Sequence, residues 1–385
     1  MVDFLRGGVL RLRRTIPRVL ETYISTALCA CLVVFSAGSA LAQSDPKTAL
    51  LEQTGWDALR AGQTQAAAAA FAEALSREPR NARFLLGAGT AAYLERRDSD
   101  AQQVLERALQ LDAKLAPARL LLGLVLYRRG DLAGAIRLYE GLASDIPGDE
   151  QVRTTLDRWR REWELHVRMR QTVETHFTVS FEGPAETELA TRAIESLERA
   201  YWRLGEMFGA YPSNWIPVVL YTEEQFRDIT RSPSWAAGSY DGIIRIPVRG
   251  ALENPAELDR VLTHEFAHAL VHSLGPRGIP TWLHEGVATA LETDDLSWAT
   301  DRVREAGSLA SLDSLQTSFA RLTGDQARLA YATSALVVRR LLDEVGGPAI
   351  AALLRELGEG VDFETAFERH ARQSWRSLQA NLSVP

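Results

Sequence analysis

Residues 261–289 read VLTHEFAHALVHSLGPRGIPTWLHEGVAT, and this stretch decides how the C-terminal half of the chain is interpreted. Apolar residues surround the HEFAH segment, which predicts a helix in which His264 and His268 lie on one face, about 6 Å apart along the axis. Two imidazoles in that arrangement can bind one metal ion. Glu265 lies beside them, where it can take a proton from a water molecule on the metal.

A second helix, TWLHEGVAT, follows the first after a short loop. The loop GPRGIP, residues 275–280, is rich in turn-forming Gly and Pro, so it can fold the second helix back beside the first. Glu285 on the second helix can then reach the same metal. The sequence thus predicts His264, His268 and Glu285 as ligands and Glu265 as the general base.

These two motifs resemble those of the gluzincin branch of the zincin metallopeptidases. The closer resemblance is to peptidase MA-like domains, whose second motif has the form W-L-x-E-G-x-A. The resemblance covers residues 174–385. It implies a zincin-like domain of the α+β class, one Zn²⁺ per chain, and zinc metallopeptidase activity on a polypeptide substrate.

The resemblance also implies two further features of the site. Residues 239–248 would form the strand at the sheet edge beside the cleft, where an extended peptide can pair. Related gluzincins use a tyrosine from a helix that follows the metal motifs to hold the developing oxyanion. The Y-x-x-S segment that begins at Tyr331 resembles that helix, and Tyr240 is the competing donor.

Other residues compete less well for the third ligand position. His272 continues the face of the two motif histidines, but it lies about 12 Å along the helix from His264. His284 points about 100° away from Glu285 on the second helix.

Several gluzincins also place a carboxylate one turn after the third ligand, where this chain has Thr289. The residue that orients the metal-bound histidines is therefore open, with Glu292 and Asp294 as distant candidates.

A repeat of 34 residues occupies residues 48–150, where Gly55, Gly89 and Gly123 recur at that spacing. Three further columns keep the same period: Ala67, Ala101 and Ala135; Phe71, Leu105 and Tyr139; and Ala74, Ala108 and Leu142. This pattern resembles three tetratricopeptide repeats, in which small residues let paired helices approach and a large residue fills the gap. An amphipathic helix within residues 151–173 is expected to cap the stack and link it to the next domain.

The pattern changes near residue 174. Strands are predicted over 176–181, 215–221 and 239–248, the last with a possible turn at Gly242, and a helix over 185–208. Helices then dominate from residue 257 onwards. We therefore predict an α-helical solenoid of tetratricopeptide repeats followed by an α+β zincin-like metallopeptidase domain.

Residues 1–42 have the character of a signal peptide. Arginines precede an apolar run over residues 24–35, and Ala40-Leu41-Ala42 supplies a small-x-small cleavage pattern. Retention as a single membrane anchor is the alternative, although the run is shorter than the ~20 residues that span a bilayer. The chain is expected to be exported, periplasmic or secreted, with no stable membrane span after cleavage. Both cysteines, Cys29 and Cys31, lie in this segment, so metal ligands must be histidines and carboxylates.

The formal net charge of -7 and the pI near 5.7 argue against nucleic acid as the main partner. The repeats are expected to form a stack separate from the catalytic site and to recruit a protein partner or substrate. Two other functions stay open. One is a cell-envelope scaffold or assembly factor whose peptidase domain is weakly active or inactive, and the other is a zinc hydrolase of a non-peptide substrate.

Overall fold

The computed structural model describes residues 46–183, 187–230, 238–247, 254–316, 319 and 322–381. The predicted signal peptide, residues 1–42, lies outside the described residues. Within these ranges, no helix has both the length and the apolar character that a bilayer span requires.

Three consecutive helix pairs form the repeat region. They are α1 (Pro46–Arg60) with α2 (Thr64–Arg77), α3 (Ala82–Leu94) with α4 (Asp98–Leu111), and α5 (Ala116–Arg128) with α6 (Leu132–Asp145). Each pair packs as the sequence columns predict: Phe71 lies against Gly55, and Tyr139 against Gly123, where a Cβ atom would clash. The columns at Ala67, Phe71 and Ala74 and their equivalents are fully buried.

The next element is the long helix α7 (Glu150–Arg168), which packs on α6 and buries Trp159 against the third repeat. Residues 151–173 were expected to be a capping and linking helix. The helix ends earlier, and β1 (Arg170–Val173) pairs antiparallel with β2 (Phe177–Phe181), so the linking segment also contributes a strand to the following domain.

The second domain contains a five-stranded mixed sheet in the order β1-β2-β3-β5-β4. The other strands are β3 (Ile216–Tyr221), β4 (Ser239–Tyr240) and β5 (Ile244–Pro247). The segment predicted as a single strand over 239–248 is a hairpin, because Gly242 turns the chain with φ +112. Of these two strands only β4 lies at an edge of the described sheet, since β5 pairs with both β3 and β4.

Helices cover both faces of the sheet. One face packs on α8 (Thr187–Phe208) and α10 (Pro255–Leu274), and the other packs on α7 and α9 (Glu223–Thr230). The remaining helices are α11 (Thr281–Glu292), α12 (Ser297–Ala306), α13 (Gly324–Val345), α14 (Gly347–Glu359), α15 (Phe363–Ala371) and α16 (Trp375–Ala380). The predicted fold class is confirmed: a helical repeat region precedes a mixed domain with a small sheet.

The repeats are in direct contact with the second domain. Glu95 in the turn between α3 and α4 pairs with Arg277 at 2.8 Å, and a buried ion pair joins Glu162 on α7 to Arg245 on β5 at 3.4 Å. The stack keeps hydrophobic cores of its own, and its contact with the second domain was not predicted from the sequence. Polar residues that lie between positions 95 and 277 of the sequence form this contact, and no local pattern marks them as neighbours.

Candidate metal centre

The helix α10 presents His264, Glu265 and His268 from the interior of the second domain. Its N-terminus is fixed by the side chain of Asn254, which accepts a hydrogen bond from the backbone N–H of Glu257. Phe266 and Leu270 are buried among core residues. The helix is thus held by packing along its length, which fixes the direction of the two histidines.

The helix α11 brings Glu285 beside α10. Trp282 at its start is completely buried and stacks on Trp375, with ring centroids 5.4 Å apart. Gly286 lets α13 approach closely, because a Cβ atom there would lie 2.7 Å from the carbonyl oxygen of Ser334. These contacts set the position of α11 and so direct the carboxylate of Glu285 towards α10.

Three ligand atoms converge between these helices. The Nε2 atoms of His264 and His268 are 3.1 Å apart, and Oε2 of Glu285 lies 3.9 Å and 3.6 Å from them. Atoms at these separations can each lie about 2 Å from one common ion, the usual length of a metal bond to histidine or carboxylate. The residues predicted as ligands are therefore brought together, and their geometry fits a divalent metal.

Glu265 lies beside this group and is only 4% exposed. Burial raises the pKa of its carboxyl group to about 7. Its Oε1 atom occupies the space that a side chain at position 238 would fill, since a Cβ atom on Gly238 would lie 2.5 Å away. Oε2 has no hydrogen-bond partner in the described part of the chain, so this carboxylate has an oxygen available for a proton.

A cleft with a volume of about 740 Å³ opens over the three ligand atoms. This volume is suited to binding a segment of a larger molecule. Gly238, Ser239 and Tyr240 at the sheet edge form one wall. Tyr331 on α13 lines the same cleft, and its hydroxyl group hydrogen-bonds the carboxylate of Glu285. Both candidate tyrosines therefore face the site.

Comparison with known families agrees with this architecture. Residues 197–372 match the Peptidase MA superfamily, and residues 53–116 and 99–158 match two tetratricopeptide repeat families. The chain carries a Peptidase MA superfamily domain behind tetratricopeptide repeats. Peptidases of this superfamily are typically metal-dependent, in keeping with the His/His/Glu group. No curated protein matches the chain.

Glu292 completes a chain of polar contacts around the site of the peptidase MA domain. It is nearly buried, and its Oε2 atom accepts a hydrogen bond from Nδ1 of His264 at 2.7 Å. Arg260 holds the other oxygen of Glu292 at 2.7 Å. Burial lowers the pKa of His264, but the hydrogen bond to Glu292 and the negative charges of the surrounding glutamates together raise it above its usual value. The Nδ1–H of His264 thus faces Glu292, which leaves Nε2 free to bind a metal.

This role of Glu292 was not recognised from the sequence, where it was only a distant candidate. Glu292 follows Glu285 by seven residues, and a spacing of seven returns to the same face of a helix after two turns. This spacing was the signal in the sequence from which the position of Glu292 beside the metal site could have been predicted. Thr289, one turn after Glu285, is buried, and its hydroxyl has no partner among the described residues.

Two further histidines flank the site without joining the ligand group. His284 stacks on His268 with ring centroids 4.6 Å apart, and it lines the cleft. Burial lowers the pKa of His284 to about 4, so this ring is neutral near pH 7. His272 contacts the ring of Tyr240 instead, with centroids 5.9 Å apart. His284 lies outside the group of ligand atoms, as its position on the helix predicted, but its side chain lines the cleft, which the sequence did not predict.

Proposed function

We propose that the chain is a gluzincin-type zinc peptidase in which His264, His268 and Glu285 hold one Zn²⁺. The convergence of their three ligand atoms beside a buried, partly unpartnered Glu265 carries this proposal. Zinc is the metal that this donor set favours, because two imidazoles and one carboxylate with an open position are the usual ligands of catalytic zinc. Zinc supplies Lewis acidity, which polarises the scissile carbonyl and lowers the pKa of water.

Residues of the chain transfer the proton and bind the substrate. Glu265 takes the proton from the attacking water and passes it to the leaving amine, and its raised pKa suits both transfers. An extended polypeptide can pair with β4, the edge strand whose residues Ser239 and Tyr240 line the cleft. The hydroxyl of Tyr331 or of Tyr240 donates a hydrogen bond to the oxyanion as charge develops there.

The proposal extends to location and partners. The arginine-rich and apolar pattern of residues 1–42 supports export to the periplasm or beyond. The tetratricopeptide repeats support recruitment of a protein partner or substrate, because repeat stacks bind through extended surfaces. A peptidase brought to its target in this way cleaves polypeptides outside the cytoplasm.

Substrate class distinguishes this proposal from its alternatives. The zinc-loaded full chain is incubated with an unfolded polypeptide, an ester and a phosphodiester, and products are identified by mass spectrometry. We expect new peptide termini that disappear when zinc is chelated and return when zinc is added back. Turnover of only the ester or phosphodiester indicates a hydrolase of another class, and turnover of none indicates a scaffold.

Replacement of Tyr331 by phenylalanine decides between the two tyrosines. If Tyr331 donates to the oxyanion, Tyr331→Phe keeps zinc and fold but lowers kcat by about a hundredfold or more. Tyr240→Phe is the matched variant, because both rings line the cleft. Steady-state kinetics on one peptide compares them. A large fall in kcat for Tyr240→Phe alone assigns the role to Tyr240.

Removal of Glu292 is expected to weaken zinc binding. Glu292→Ala leaves Nδ1 of His264 without its acceptor, and loss of such an orienting carboxylate lowers metal affinity by about 10–100-fold. Competition with a chromogenic chelator measures this affinity. Glu257→Ala is the control, since Glu257 also pairs with Arg260 but does not contact His264. Equal affinities in wild type and Glu292→Ala contradict the role assigned to Glu292.

A further inference from the structure

The strand β4 of the β4–β5 hairpin lines one wall of the cleft, and it is short, whereas β5 pairs with β3 and packs in the core of the second domain. The strand β4 contains two residues, and only the pairs Ser239 with Arg245 and Tyr240 with Ile244 join it to β5. It is one of the two edge strands of the described sheet, at the end opposite to β1. A strand this short gains little stability from its ladder, so contacts outside the sheet must contribute to its position.

Arg245 connects the hairpin to the repeat side of the molecule. Its side chain is 2% exposed and faces away from the core of the second domain, because its neighbours Ile244 and Ile246 occupy that core. The guanidinium group pairs with Asp241 in the hairpin turn and, at 3.4 Å, with Glu162 on α7, which is 1% exposed. The buried charges of Arg245 and Glu162 hold each other in place, because neither side chain can be solvated by water instead.

The third repeat completes this network. The hydroxyl of Tyr127 on α5 donates a hydrogen bond to Oε2 of Glu162 at 2.8 Å and accepts one from Nη2 of Arg245 at 3.4 Å. The ring of Tyr127 stacks on Trp159 with centroids 4.9 Å apart, which fixes the hydroxyl in place. The repeat, the linking helix and the hairpin thus share one buried polar network.

A backbone contact reinforces the network at the same place. Gly242 in the hairpin turn lies against the end of α5, where an added Cβ atom would be 3.2 Å from the carbonyl oxygen of Arg128. The φ of +112 at Gly242 is a conformation that other residues rarely adopt. The turn therefore packs directly against the end of α5.

We propose that the third repeat positions the substrate-binding edge of the cleft, with Tyr127 acting through Glu162 and Arg245 on the β4–β5 hairpin. This inference rests on the proposed function in that β4 receives the substrate backbone. The repeats would then help to position the substrate for cleavage, in addition to recruiting a partner or substrate. Tyr127 is a positioning residue, since it lies behind the strand and does not line the cleft.

The test compares two tyrosine variants of the full chain. Tyr127→Phe keeps the ring on Trp159 but removes the hydroxyl that joins the repeat to Glu162. We expect KM for a peptide substrate to rise on the order of tenfold, as for loss of a hydrogen bond to a charged group, with kcat and zinc content within about twofold. Hydrogen exchange of the backbone amides in residues 239–247 should become faster.

Tyr139→Phe is the control. Tyr139 packs on the same Trp159, and its hydroxyl hydrogen-bonds Leu120 O within the repeats. This variant should leave both KM and the exchange of residues 239–247 unchanged. The inference is overturned if Tyr127→Phe changes neither quantity or if Tyr139→Phe changes both equally. The exchange measurement needs no turnover, so it tests the hairpin contact even if the wild type cleaves no polypeptide.

Discussion

Glu285→Ala is expected to lose most of its zinc and all measurable hydrolysis. The variant keeps only two of the three ligands, and two imidazoles alone hold the ion with too few strong bonds. His264→Ala and His268→Ala should behave in the same way. Zinc per chain after dialysis, measured by atomic emission, checks the prediction, together with the peptide-cleavage rate of each sample.

The neighbouring residue provides the control for this series. His284 adjoins Glu285 on α11 and lines the cleft, but it stacks on His268 and is not one of the three converging residues. His284→Ala should therefore retain about one zinc per chain. Full zinc in Glu285→Ala together with loss in His284→Ala would transfer the ligand role to His284.

Glu265→Gln should separate metal binding from hydrolysis. The amide keeps the size of the side chain but cannot accept the proton of the attacking water, so kcat is expected to fall by about 10²–10⁴-fold or more while zinc stays at the wild-type level. Glu257→Gln on the same helix is the control for a change of carboxylate to amide. Wild-type turnover in Glu265→Gln would mean that another group takes the proton.

The parts of the site that the sequence predicted are those that local geometry determines. His264 and His268 lie on one turn of one helix, and a short Gly- and Pro-rich loop limits where Glu285 can go. In the repeats, the columns that contain Gly55 and Phe71 predicted which residues would pack together. Each of these inferences needed only helix periodicity, turn-forming residues and residue size.

The parts that were missed depend on contacts between distant segments. The pairing of Glu162 with Arg245 joins residues that no helix or strand periodicity relates. A single arginine between Ile244 and Ile246 was a signal that one face of β5 meets a charged partner, but it does not identify that partner. The position of β4 at the edge followed from the turn at Gly242, which splits the expected strand.

The most direct measurement on the central claim is anomalous X-ray scattering at the zinc absorption edge from crystals of the zinc-loaded full chain. The proposed centre predicts one strong peak about 2 Å from Nε2 of His264, Nε2 of His268 and a carboxylate oxygen of Glu285. Glu265 should lie beside the peak without binding it directly. A peak bound by His284 in place of Glu285, or no peak between α10 and α11, would contradict the account.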